Sequence, residues 1–197
     1  MPASSRRVTA EDILPDADYA RERQARRAAL LPVKRLRRVA LGPDCTLIFE
    51  NYETMLFQIQ EMLLVEKGGA AQLAEELEAY NPLIPQGREL VATVMFEIDD
   101  PVRRAAILGE LGGVEESFFL QLDTTRIDGV PEGDIERTRG GKTAAVHFLR
   151  FQFHDEDEAA AFHDYERRVM IGCDHPRYGH IAVLSEEARA ELAKDLD

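Results

Sequence analysis

The sequence predicts one α+β domain: a mainly antiparallel sheet flanked by helices, with a basic helical arm at its N-terminus. Three observations predict it. Runs with helical spacing alternate with short β-forming runs, and turn signals such as Gly42-Pro43-Asp44 separate them. No internal repeat, low-complexity stretch or linker divides the chain. Its 197 residues, 45% apolar and 31% charged, are enough to bury a core without a disulfide or a metal. The expected division is an arm over residues 1–32 and a body over residues 33–197.

The elements follow in order. Thr9-Ala10-Glu11-Asp12 reads as a capped helix start with acids in its first turn. An Arg- and Ala-rich helix runs from about Asp16 to Leu31, with few apolar residues, and Pro32 ends it. Residues 33–50 read as a hairpin with Thr46–Phe49 as the return strand. Asn51 caps a strong helix through Glu66, and a second helix covers about Ala70 to Tyr80. Leu90–Ile98 is a nearly continuous run of β-formers and is expected to be a central strand. Pro101 opens a helix that Gly112-Gly113 stops. Strands are expected at Ser117–Leu122 and Ala144–Phe153, separated by a polar loop or exposed hairpin over 123–142, the most mobile part of the body. A helix over Asp155–Tyr165, a short strand over Arg168–Ile171 and a last helix from Ser185 complete the chain.

Charge narrows the function. Of 24 Lys+Arg and 37 Asp+Glu, residues 1–40 hold 10 and 5, so the remainder holds 14 and 32. A basic front end of net +5 thus precedes a body of net −18, which disfavours general nucleic-acid binding. No apolar run is long enough to span a bilayer, and none follows Arg6-Arg7 to make an export signal. Cys45 and Cys173 lie far apart, so neither a disulfide framework nor a self-contained iron–sulfur cluster is expected. The expected compartment is the cytoplasm, with both thiols reduced.

Three groups of residues carry candidate chemistry. On the helix after Asn51, Tyr52, Met55, Leu56, Ile59 and Leu63 form a core stripe. Opposite run Asn51, Thr54, Gln58 and Glu61, flanked by apolar residues that a solvated face would not need. Gln58 and Glu61 either line a pocket or mark a surface stripe beside a dimer or helix contact. Arg35, Arg37 and Arg38 precede the hairpin and Glu50 ends it, which gives either a cross-strand ion pair or an anion clamp. The ligand-binding candidates are therefore Arg35, Arg37, Arg38, Glu50, Asn51, Gln58 and Glu61. Asp174, His175 and His180 are metal candidates that His147 and His163 could complete, although their spacing matches no zinc motif. His154, among acids, reads as a solvated loop residue. Glycine-rich nucleotide loops and a G-x-S-x-G elbow are absent, and Cys173 beside Asp174 is a poor nucleophile. No nucleotide cofactor is expected.

The segments Lys34-Arg35-x-Arg37-Arg38-Val39-x-Leu41-Gly42-Pro43, Phe49-Glu50-Asn51 and Thr54-x-x-x-Gln58-x-x-Glu61-Met62 form one set. With Glu75-Glu76-Leu77-x-x-Tyr80-Asn81-Pro82-Leu83-Ile84-Pro85 and Asp174-His175-Pro176-x-Tyr178, the chain resembles the bacterial domain-of-unknown-function family 3501. The resemblance implies no activity and assigns no catalytic residue. It does imply a setting near rubrerythrin-like proteins and iron–sulfur oxidoreductases, hence a link to peroxide or redox metabolism. The expected function is an accessory protein that binds a redox partner or a small ligand. The alternative is a metal-dependent enzyme using Glu61 with His175, His180 or His147. RNA binding through the arm and self-association into a homo-oligomer stay open.

Overall fold

The computed structural model describes residues 6–132, 138–139 and 142–196. Its first long element, α1 (Asp16–Leu36), does not stop at Pro32 as expected. Proline removes one N–H from the ladder, but the next turn re-forms, with the Arg37 N–H donating to the Val33 carbonyl at 3.1 Å. The buried side chain of Arg37 fixes the chain just beyond, so tertiary anchoring outweighs the local break.

The hairpin follows as β1 (Arg38–Leu41) and β2 (Cys45–Phe49), in register with Leu41 opposite Cys45. Gly42 takes φ +71° in its turn, and a Cβ there would lie 2.5 Å from the His180 ring. Helix α2 (Tyr52–Glu66) starts on a capping box: Asn51 Oδ1 accepts the Thr54 N–H and Thr54 Oγ1 accepts the Asn51 N–H, both at 2.9 Å. Then come α3 (Gly69–Tyr80), β3 (Glu89–Phe96) and α4 (Pro101–Glu110), the last capped by Asp100.

The second half gives β4 (Phe118–Leu122), β5 (Thr125–Pro131), the short pair β6 (Thr138–Arg139) and β7 (Lys142–Thr143), and β8 (Val146–Gln152). The stretch expected as a polar loop or exposed hairpin thus contains a full sheet strand, β5, which buries Ile127. Residues 133–137 and 140–141 of that stretch lie outside the described residues. Helix α5 (Glu156–His163), β9 (Val169–His175), β10 (Tyr178–Val183) and α6 (Glu186–Leu192) complete the order.

Eight strands form one antiparallel sheet in the order β1-β2-β3-β8-β5-β4-β9-β10. It curls until its edges nearly meet. Tyr178 on β10 links them: its hydroxyl donates to the Leu41 carbonyl at 2.7 Å and accepts the Asp44 N–H at 3.1 Å. Inside lies one apolar cluster that includes Phe49, Val94, Phe118, Phe151 and Ile171. Leu108 and Leu111 join it where β3 ends; Leu192, Ala193 and Leu196 join it at the opposite end. As expected, β3 is central and buried on both faces. Leu90, Ala92 and Val94 face the interior cluster, while Val91 packs outward against Met55, Ile59 and Leu63 of α2.

Candidate functional site

Part of the expected set meets at one place outside the barrel, where α1 crosses α2. Helix α1 buries only Tyr19 and Leu30. The rest of its length stands off the body and leaves an open groove of about 650 Å³ between α1, α2 and the outer face of β2. Its floor is apolar, from Leu30, Leu31, Ile48 and Phe57. Its rim is cationic, from Arg27, Lys34, Arg35 and Arg38. A second groove of about 850 Å³ continues around Leu31, Arg35 and Arg38 to α6, where Glu187 contributes an acid.

Four of the seven ligand candidates line the first groove: Arg35, Arg38, Gln58 and Glu61. Glu61 is not a free base there. It accepts from the Tyr19 hydroxyl at 2.7 Å and from Arg23 Nε and Nη2 at 2.8 and 2.6 Å. The Arg23 hydrogen bond holds its carboxyl below the usual range, and burial, with Glu61 beside it, pushes the Tyr19 hydroxyl up. The carboxylate therefore clamps α1 to α2. Arg38 reaches Glu97 at 2.6 Å, not Glu50, and stays about half exposed. Among the described residues, Arg27, Lys34 and Arg35 make no side-chain hydrogen bond and no ion pair within 4 Å.

The other three candidates are buried and do not line the groove. Arg37 donates to both oxygens of Asp195 at 2.7 and 2.8 Å, to Glu191 Oε1 at 3.1 Å and to the Glu50 carbonyl at 3.3 Å. Burial opposes its charge, and the Asp195 and Glu191 carboxylates outweigh burial and hold the guanidinium protonated. The side chain of Glu50 is buried beneath the start of α2 and accepts from Thr93 Oγ1 at 2.6 Å; burial pushes its carboxyl up. Asn51 is spent on the cap of α2. The expected cross-strand arginine–Glu50 carboxylate pair does not form, because Arg37 takes acids from the C-terminal segment instead.

The metal candidates are not brought together with Glu61. His147 is fully buried, with Nε2 bonded to the Ala144 carbonyl and Thr143 Oγ1 at 2.9 and 3.1 Å. Asp174, His175 and His180 lie on the β9–β10 hairpin, where Asp174 lies opposite Gly179 and His180 opposite Cys173, on alternate faces. Asp174 pairs with Arg126 at 2.7 Å, and His175 Nε2 reaches the Gly112 carbonyl at 3.4 Å. The His180 ring packs against Tyr178, 4.5 Å between centroids. Among the described residues no three His, Cys, Asp or Glu side chains could share a metal ion. Burial pushes the Cys173 thiol up to about 11, with Asp174 adding a smaller push, and burial likewise raises Cys45.

Sequence reasoning missed Arg27, Leu30, Leu31 and Lys34 as one unit. The signal was present: Arg27, Leu30, Leu31, Lys34 and Arg35 fall at helical steps on one face. Ending the helix at Pro32 cut that stripe in two.

Comparison with known proteins adds kinship without chemistry. Residues 7–196 match the sequence profile of a family described as Protein of unknown function (DUF3501). A crystal structure of a novel protein of unknown function from Burkholderia pseudomallei K96243 is similar, with a TM-score of 0.88 and 36% sequence identity. The match covers 96% of this chain and 99% of that one. No curated protein matches.

Proposed function

The chain belongs to the DUF3501 family, and on that premise we propose that it is a non-catalytic accessory protein that binds an anionic group in the α1–α2 groove. One observation carries the reading. Arg35, with no ionic partner among the described residues, stands beside Arg27 and Lys34, which make no ion pair within 4 Å, over an apolar floor on a body of strong negative charge. Keeping like charges close costs energy unless something anionic offsets it. Glu61, the acid that lines this groove, is already held by Tyr19 and Arg23, so the site offers binding groups and no poised proton donor or acceptor.

The family setting implied by the sequence makes a cytoplasmic redox protein, rubrerythrin-like or an iron–sulfur oxidoreductase, the first partner to try. Tag-free protein co-expressed with each candidate should co-elute with one at low salt and separate at high salt. Co-elution should fail for Lys34→Glu/Arg35→Glu. Persistence of the complex in that variant would move the binding surface elsewhere. The metal-enzyme alternative has no observation in its favour, since Glu61 and the three histidines occupy different parts of the fold.

A further inference from the structure

We infer that the occupant of this groove is an acidic amphipathic α-helix presented by a partner protein. The inference rests on the groove reading above and commits it to one ligand class. Four observations lead to it.

The first is openness. Leu31 is 57% exposed at the crest between the two grooves. A small ligand usually needs a concavity that buries most of its surface, and this trough is open along α1 instead. The second is spacing. From Arg27 to Arg35 the stripe runs about 12 Å along α1, slightly more than two turns. Leucines at its centre and cations at both ends repeat at three- and four-residue steps, the pattern a facing helix matches with its own apolar stripe and flanking charges.

The third is charge. Among the described residues Arg35 has no counter-ion; Arg27 and Lys34 make no ion pair within 4 Å and feel only Glu61, which Arg23 already holds, and the buried Glu50, while Arg38 shares Glu97. Carboxylates flanking a leucine stripe would supply the missing partners. The fourth excludes the nearest competitor. A second copy joined by two-fold symmetry would place this basic stripe against itself. An RNA strand would meet the cations but leave the leucines unused, and the −18 body would repel its backbone.

The test uses the full-length protein and a fluorescent, end-blocked helix of about 16 residues with leucines on one face and glutamates beside them. Anisotropy should show saturable binding, and circular dichroism should show the peptide gaining helix as it binds. Arg35→Glu and, separately, Leu31→Ala should each weaken binding, by about tenfold for the charge reversal. Thermal melts of both variants should match the parent, since both side chains are exposed. A peptide of the same composition with its leucines scattered should bind at least about tenfold more weakly.

Equal binding of the scattered peptide would overturn the inference. So would Arg35-dependent binding of a single-stranded RNA, or a protein-only dimer in light scattering. Inorganic phosphate or decanoate binding at Arg35 without the helix would sink the helix and leave the anion-binding function standing. Failure of every anionic probe would sink both.

Discussion

Arg35 and Arg37 sit two residues apart and could hardly live in more different surroundings. Arg35 is exposed, has no ionic partner among the described residues and lines a groove. Arg37 is 1% exposed and donates to Asp195, Glu191 and the Glu50 carbonyl. A helical step of about 100° per residue separates them by more than half a turn, so one faces solvent and the other the barrel end. The difference teaches that a run of arginines is not one functional unit. The buried member ties α1 to the C-terminal segment, and that tie holds the exposed members in place over the groove.

The largest effect should come from the buried side. Arg37→Met strands the buried Asp195 carboxylate and leaves Glu191 with Lys194 alone, and should cost about 3–5 kcal/mol of unfolding free energy. Urea denaturation at neutral pH would measure it. Replacing all three groups together, Arg37→Met/Glu191→Leu/Asp195→Leu, should recover most of the loss, because the penalty is the stranded charge. A single Arg37 variant as stable as the parent would erase the contrast with Arg35.

That contrast also marks what was legible in the sequence. Helix α2 and its cap were readable, because Asn51 and Thr54 act within one turn. So was the centrality of β3, whose apolar run is unbroken. Arg37 was not, since its acids lie more than 150 positions away and no local pattern announces them. The β9–β10 hairpin was missed for a related reason. Gly172, Cys173, Asp174 and His175 are weak β-formers, and they stay extended through pairing with β4 and β10. Gly172 earns its place by packing: a Cβ there would lie 2.3 Å from the Phe119 ring. Of the candidate site, the residue types were visible and the partition between groove and interior was not. Tertiary contacts alone decide that partition.

Glu61 lies between the extremes, with its side chain 19% exposed, and its response to pH sharpens the comparison. The Arg23 hydrogen bond lowers its pKa in the fold, so the folded state holds this proton less tightly than the unfolded chain does. Its contribution is present above the unfolded carboxylate value, about 4.3, and is lost as the pH falls through the folded value. Glu61→Gln should therefore cost about 1 kcal/mol at pH 7. The gap from the parent should shrink steadily on acidification below about pH 4. A gap that is constant with pH would show that packing, and not the charged hydrogen bonds, joins α1 to α2 here.

The smallest effect on stability belongs to the exposed side. Arg35→Ala and Lys34→Ala remove cations that make no ion pair within 4 Å among the described residues, and alanine is at least as good a helix former, so melting should change by no more than about 0.5 kcal/mol. Stability that does not change beside binding that does would mark these two residues as belonging to the groove and not to the frame. If Arg35→Ala instead costs well over about 1 kcal/mol, the arginine supports the fold much as Arg37 does. The cationic rim would then lose its claim to be a surface kept for a partner.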